Sequence, residues 1–562
     1  MDNNFLLSVK NLTLAFKDKI LVNNLSFNLN ANETLGIVGE SGSGKSLSAL
    51  SILGLLPKNV KVISGKILFN LNHTIIDLLS FSDKDLQAIR AKEIGFIFQD
   101  PLSALNPTIS CGKQVLEVIE THLNLSKHEA KNYVLELFKK VDLPNVERIF
   151  KAYPHELSGG QRQRIIIAMA IACKPKILIA DEPTTALDAT VQKSILDLLN
   201  NLKLTNEMSV IFISHDLGVI SSIASNVLVM QQGNKIEYNS IHNIFNLPKE
   251  PYTIGLINCR KSLENKNKRL LTLSTINEKH TTLNNTNNKE ILNKTTPNTP
   301  ILQVKNISKY YSFSTGFFSK KQKIYALDKI NFEIKEGEMV GLVGESGSGK
   351  STLSKIILNL LKPTNGSVIY NGLDLATLNK SKVRSLRKEI QMIFQDPFSS
   401  LNPKLTIGSI LISPMEVHGV GNSYRDRKIF AINMLEKVGL SKLDFDKYPH
   451  EFSGGQRQRI GIARCLILKP KFIICDEVVS ALDVSIQAQI LNLINELKIE
   501  FGFTCIFISH DMRVVKYMCN KIIVLNKGRI EEMNSVDTIF NNPEKEYTKK
   551  LLSAIQHINY AV

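Results

Sequence analysis

The chain has 562 residues, 43% of them hydrophobic and 22% charged, with a formal net charge of +17. That length is too great for one core and calls for two or more domains, and the composition is that of an ordinary globular protein. No stretch reaches the eighteen or more uncharged apolar residues of a transmembrane helix; the most apolar run, residues 165–173, lies between Arg164 and Lys174 and reads as a buried helix.

From the N-terminus, Met-Asp-Asn-Asn lacks the basic segment of a secretory leader, so a cytoplasmic chain is expected. Thr34–Val38 is a short apolar strand leading into Gly39-Glu40-Ser41-Gly42-Ser43-Gly44-Lys45-Ser46, a match to G-x-x-x-x-G-K-[ST]. Glycines there let the backbone wrap phosphates with its N–H groups inward. Lys45 supplies a cation to the β- and γ-phosphates, and the Ser46 hydroxyl is a ligand for Mg2+. Residues 46–56 read as the following helix, whose N-terminus favours an anion. Residues 98–153 have helical spacing and fit a separate helical subdomain. Ser158-Gly159-Gly160-Gln161 precedes a helical run over 162–173; it would cap that helix and offer N–H groups to a phosphate. Residues 176–180 form a buried strand ending in Asp181 and Glu182. An Asp there can hold Mg2+ through water, and the adjacent Glu can polarise an attacking water. Residues 209–213 form another strand, ending in Ser214-His215. Strands with polar C-terminal ends suit a parallel sheet with ligand at that edge.

The chain then repeats. The loop returns 305 residues later as Gly344-Glu345-Ser346-Gly347-Ser348-Gly349-Lys350-Ser351. Three segments return 295 residues later: His155 to Arg164 as His450 to Arg459, carrying Ser453-Gly454-Gly455-Gln456; Asp181-Glu182 as Asp476-Glu477; and Ile213 to Asp216 as Ile508 to Asp511. The first copy therefore carries about ten extra residues between loop and Gln99, assigned to 71–85. A repeat this long is a duplicated domain. The expected organisation is domain 1 over 1–260, a linker over 261–300 and domain 2 over 301–562. The linker is polar, holds Asn284-Asn-Thr-Asn-Asn288 and ends Thr295-Thr-Pro-Asn-Thr-Pro300. It reads as a flexible chain with an r.m.s. span of roughly 35 Å, enough for two domains to meet. Seven scattered cysteines have no metal-ligand spacing and read as reduced, mostly buried thiols. The basic residues are dispersed and mostly lysine, a weak signature for nucleic acid.

Each half runs in the order loop, Gln, Ser-Gly-Gly-Gln, Asp-Glu, Ala-Leu-Asp, His. These are Lys45, Gln99, Ser158, Glu182, Asp188 and His215, then Lys350, Gln395, Ser453, Glu477, Asp483 and His510. The set resembles the ATP-binding-cassette ATPases over nearly everything except the linker. The resemblance implies an α/β fold of two P-loop NTPase domains, each a RecA-like core with a mixed sheet plus a helical subdomain. It implies ATP and Mg2+ as cofactors, and an internal pseudo-dimer arranged head to tail. Two composite sites follow, Lys45 with Ser453–Gln456 and Lys350 with Ser158–Gln161. It gives catalysis to Glu182, Glu477, His215, His510, Gln99 and Gln395, and places Gln99 and Gln395 with Ser46, Ser351, Asp181 and Asp476 around the metal. Phe16 and Tyr311 occupy the places of the aromatic that stacks on adenine. The second copy departs in having Phe452 for Leu157 and Val478-Val479-Ser480 for Pro183-Thr184-Thr185; neither removes a catalytic group.

Asp100-Pro-Leu-Ser-Ala-Leu-Asn-Pro107 and Asp396-Pro-Phe-Ser-Ser-Leu-Asn-Pro403 follow the two Gln residues. They resemble the ATPases of oligopeptide, dipeptide and nickel importers, as do Glu250-Pro-Tyr-Thr-Ile-Gly-Leu256 and Glu546-Tyr-Thr-Lys-Lys-Leu-Leu552. Some relatives hold an iron–sulfur cluster on four cysteines near the first of these extensions; only Cys259 lies there, so no cluster is expected. The resemblance implies a fused motor subunit at the inner face of the cell membrane. Its partners would be integral-membrane permeases and, indirectly, an extracytoplasmic solute-binding protein, with no nucleic acid. The Ser312 to Lys323 insert, with Phe313, Phe317, Phe318 and three lysines, reads as a solvated hairpin, the other reading being a contact with the membrane or permease. The alternative is a soluble tandem ATPase acting on ribosomes or nucleic acid; the substrate of the importer reading stays open among peptides, peptide-like antibiotics, glutathione and nickel.

Overall fold

The computed structural model describes residues 5–185, 187–263, 269–273, 300–313, 322–480 and 482–556. They form two compact units, one built on Met1–Asn258 and one on Cys259–Ile555. The middle of the Ser312 to Lys323 insert and most of the stretch read as a linker lie outside the described residues.

In the first unit a six-stranded sheet runs in the order Asn234–Ser240, Asn226–Gln231, Thr34–Val38, Ser209–Ser214, Ile177–Asp181, Ile94–Ile97. All neighbours are parallel except the first pair, which is an antiparallel hairpin. The central strands are continuous apolar runs, Thr-Leu-Gly-Ile-Val and Ser-Val-Ile-Phe-Ile-Ser, buried along their whole length. That pattern fits parallel strands covered on both faces. A four-stranded antiparallel sheet, in the order Lys19–Asn30, Phe5–Phe16, Val60–Leu71, Thr74–Asp77, packs its alternate leucines, valines and Phe69 into the same core. The helical subdomain predicted over 98–153 is present as Cys111–His122, Lys127–Lys140 and Val146–Lys151, leading to the helix Gly159–Ile171.

The second unit repeats the plan. Its mixed sheet runs Ile390–Ile393, Phe472–Asp476, Thr504–Ile508, Met339–Val343, Lys521–Asn526, Arg529–Ser535. Its antiparallel sheet runs Gln322–Lys335, Pro300–Phe313, Asn365–Tyr370, Leu373–Asp374. In both units the loop strand lies where the strand order reverses direction, the switch point at which α/β sheets open a crevice for ligand.

Three sequence expectations change. The helix after the first loop is Lys45–Ile52 and stops short of 56, because Gly54 turns the chain with φ +64°. The extra residues of the first copy are not all at 71–85. Gly65 and Gly366 lie at the same break in the strand pairing, each against the backbone of Asn11 or Asn306. Their spacing places about four of the extra residues before Gly65, where they lengthen the strand Val60–Leu71 to 12 residues against 6 for Asn365–Tyr370. Third, part of the stretch read as linker from 261 is seated on the second unit. The helix Pro251–Ser262 runs past 260, and Leu263 and Leu270 are buried in the second unit's core, Leu270 beside Tyr517. The Asn492 side-chain amide grips the Leu270 backbone from both sides, accepting from its N–H at 3.0 Å and donating to its C=O at 2.9 Å. A polar side chain that satisfies both groups of one residue is what lets that backbone be buried.

All seven cysteines are free thiols, and Cys173 alone is partly exposed. No helix among the described residues is long and apolar enough to cross a membrane.

Candidate functional site

The first phosphate loop closes on its own lysine. Lys45 is 5% exposed, and its Nζ donates to the carbonyls of Gly39 at 2.7 Å and Glu40 at 2.8 Å. Gly39 is the tight point: a Cβ there would lie 2.1 Å from the Met230 carbonyl oxygen and 2.8 Å from Ser43 Oγ. Gly42, at φ +77°, has open space where a side chain would be. The loop is thus pinned at its base and open at its turn, a cradle of backbone N–H groups that fits a nucleotide's phosphates. The second loop is the same, with Lys350 Nζ donating to Gly344 O at 2.6 Å and Glu345 O at 2.9 Å.

At the next strand end but one, Ser46 Oγ donates to Asp181 Oδ1 at 3.1 Å. A hydroxyl and a carboxylate meeting beside a phosphate cradle are the hard oxygen donors that Mg2+ requires. Burial pushes the Asp181 carboxyl up to about 6 and Glu182 adds to it, while Ser46 and Lys45 oppose. Asp476 is likewise raised to about 6, by burial and then Glu477.

Glu182 sits just past its strand with φ 47°, and Glu477 with φ 46°. The left-handed region costs a non-glycine residue roughly 1–2 kcal/mol. The kink is held by the Glu182 N–H donating to Ile213 O at 3.0 Å, and Glu477 does the same to Ile508. It brings the carboxylate to a point where three donors converge on one oxygen, Oε2: Gln99 Nε2 at 3.2 Å, Thr185 Oγ1 at 2.9 Å and His215 Nδ1 at 3.1 Å. Burial raises this carboxyl, but the His215 and Thr185 hydrogen bonds and the Lys45 charge outweigh it and hold the group at about 2. In the second unit Gln395 Nε2 lies 2.8 Å from Glu477 Oε2 and His510 Nδ1 lies 3.5 Å from it. There Ser480, in the place of Thr185, turns its hydroxyl to the Glu477 backbone carbonyl at 2.9 Å. The His510 imidazole is disfavoured as a cation by burial, yet the Glu477 carboxylate reverses this and raises its pKa.

Ser158 and Ser453 are exposed and cap the helices Gly159–Ile171 and Gly454–Leu466 in reciprocal boxes with Gln161 and Gln456. The two glycines of each motif differ. A Cβ on Gly160 or Gly455 would come within 2.7 or 2.5 Å of Val191 or Ile486, so these glycines serve packing. Gly159 and Gly454 meet nothing closer than 3.6 Å, leaving the helix N-termini approachable. Phe16 and Tyr311 lie partly exposed at the ends of Phe5–Phe16 and near the end of Pro300–Phe313. Within each unit the loop, Gln, acid pair and His are brought together. Thr185, which in the sequence marks only a departure between copies, adds a hydrogen bond to Glu182 that no local pattern signals.

A solved dimeric, post-hydrolysis structure of the ATP-binding cassette MJ0796 bound to ADP and Pi is 33% identical, covers 42% of this chain and 98% of its own, and has a TM-score of 0.38. The ABC transporter family model matches residues 22–185 and 327–480, and the oligopeptide/dipeptide transporter C-terminal region matches 236–288. Among curated relatives, the glutathione import ATP-binding protein GsiA of Shigella dysenteriae serotype 1 (strain Sd197) is 42% identical over 568 residues, covering 99% of this chain and 90% of its own. GsiA of Escherichia coli (strain K12) is 41% identical with the same coverage. The chain belongs to the ABC transporter family. It is a tandem ATP-binding protein of that family, an ATPase with ATP as its nucleotide.

The raised Asp181 makes a testable statement about this ATPase. Its folded-state value, about 6, lies above the ordinary 3.8. Above about pH 6 the folded protein therefore carries the cost of a buried charge, and the cost disappears as pH falls through 6 toward 4. Asp181→Asn removes it. In protein free of metal and nucleotide, the first unit of the variant is expected to be about 2–3 kcal/mol more stable than the parent at pH 7.5. The difference should fall to about half by pH 5 and close near pH 4 in thermal melts. A variant no more stable at pH 7.5 would show that the carboxyl is not desolvated.

Proposed function

We propose that this chain is the ATP-hydrolysing subunit of an importer for peptides or related small solutes, with glutathione the first substrate to try. The observation that carries the reading is the complete constellation in both units, on a chain alike end to end to two glutathione import ATP-binding proteins. Bound ATP with Mg2+ would supply the phosphoanhydride whose hydrolysis drives transport. Lys45 and Lys350 present a cation to the phosphates. Ser46, Asp181 and Gln99, and in the second unit Ser351, Asp476 and Gln395, would hold the metal through oxygen donors. Glu182 and Glu477 orient a water and accept its proton, with His215 and His510 placing the carboxylates and reaching the γ-phosphate. Phe16 and Tyr311, both exposed, would be the aromatics that stack on adenine, with Lys17 and Lys309 over their rings in this structure.

The approachable helix N-termini at Ser158–Gln161 and Ser453–Gln456 support the composite reading, in which each serves the loop of the other half. Partners are integral-membrane permeases docking beside the Asp100 and Asp396 segments, where Phe98 and Phe394 are exposed. An extracytoplasmic solute-binding protein would deliver cargo. The chain would lie in the cytoplasm against the inner face of the membrane. Affinity purification in mild detergent is expected to retain permease subunits, and ATP turnover in vesicles should rise with a loaded binding protein. Retention of ribosomes or nucleic acid in their place would overturn the reading.

A further inference from the structure

We propose that Tyr252 and Tyr547 are positioning residues of the two phosphate loops, through which the helix after each core and the loop's lysine act on one another. Tyr252 stands at the start of Pro251–Ser262 and is 8% exposed; its hydroxyl oxygen accepts the Glu40 N–H at 3.2 Å. Tyr547, on Glu546–Gln556, accepts the Glu345 N–H at 3.0 Å. Glu40 and Glu345 are the same residues whose carbonyls take the lysine Nζ, at 2.8 and 2.9 Å. One loop residue therefore holds the tyrosine through its N–H and the lysine through its C=O.

The approach of each tyrosine is fixed from behind. Glu237, 7% exposed, accepts two consecutive backbone N–H groups, Lys249 at 3.1 Å and Glu250 at 3.3 Å, immediately before the helix. Glu532, also 7% exposed, does the same for Glu544 at 3.1 Å and Lys545 at 3.2 Å. A buried tyrosine hydroxyl usually finds some partner. Here the partner is the same loop amide in two copies, with the same carboxylate clamp behind it. Movement of Lys45 off the Glu40 carbonyl frees the residue that Tyr252 grips, and loss of that grip alters the residue that places Lys45. Such coupling is reciprocal.

The arm that measures nucleotide rests on the proposed function; the arm without nucleotide does not. The full chain carrying Tyr252→Phe keeps the ring and loses only the hydroxyl, and its untouched second unit is an internal reference. Hydrogen exchange without nucleotide is expected to quicken about fivefold over Gly39–Lys45, the scale of one backbone hydrogen bond, and to stay unchanged over Gly344–Lys350. With ATP and Mg2+, affinity at one of two sites should weaken by a similar factor, and exchange in Pro251–Ser262 should respond to ATP in the parent but not in the variant. Unchanged exchange over Gly39–Lys45 overturns the proposal. So does equal quickening of both loops, which would mark a general loosening. A parent chain that binds no ATP while the loop still quickens would sink the function and leave the positioning role standing.

Discussion

Glu182→Gln is expected to remove far more than half of the ATP turnover, although Glu477 is untouched. The substitution keeps the shape of the side chain and its reach to Thr185 and His215, and takes away only the ability to accept a proton. A general base contributes about 10²–10⁴ in rate, so the first site falls silent. If the two sites shared nothing, the second would go on and half the activity would remain. In the composite reading they share one closure, and the single variant approaches the loss of the double variant Glu182→Gln, Glu477→Gln. Steady-state phosphate release from the parent, both single variants and the double variant decides the matter. A residual rate near one half in each single variant identifies two independent ATPases on one chain.

Gly39→Ala is expected to unfold the first unit at lower temperature and to abolish its nucleotide binding, whereas Gly42→Ala should cost some stability and leave the loop base and Lys45 in place. The two glycines lie three residues apart and are needed for different reasons. At Gly39 the added carbon would be 2.1 Å from the Met230 carbonyl, a rigid strand atom, so the base of the loop must move. Overpacking of this kind costs about 1–3 kcal/mol or more, a fall of roughly 2–10 °C in Tm for a unit of this size. The moving base also carries the carbonyl that holds Lys45 at 2.7 Å. At Gly42 there is room, and only the φ of +77° costs an alanine roughly 1–2 kcal/mol. Thermal melts together with titration by a fluorescent ATP analogue would separate the two. Equal effects would refute the steric account.

The strands, the loops and the two acid pairs were legible because each rests on local chemistry: continuous apolar runs, glycines at fixed spacing, and acids just past a strand. The doubled constellation also made the family legible. The rest depended on through-space partners. Nothing local to Asp181-Glu182 tells that Glu182 enters the left-handed region, because that conformation is held by Ile213 from another strand. Leu263 and Leu270 sit in a polar stretch that reads as linker; their burial is decided by Asn492 and the apolar wall around it, over two hundred residues away. Tyr252 and Tyr547 stood in the segments that resembled importer extensions, and their equal 295-residue spacing was the available signal.

The three donors on Glu182 Oε2 carry a consequence for timing. A carboxylate held at about 2 has almost no appetite for a proton at neutral pH. As it stands, the residue proposed to accept the proton of the attacking water is a poor base, and it becomes a better one when His215 or Thr185 lets go or the Lys45 charge is drawn away. With Glu182 in that proposed role, the first unit at rest would be held back by its own neighbours, a safeguard against idle turnover. In the second unit Ser480 has turned away to the backbone and His510 stands off at 3.5 Å. The two carboxylates are thus held by different sets of neighbours, and the two halves need not release them together.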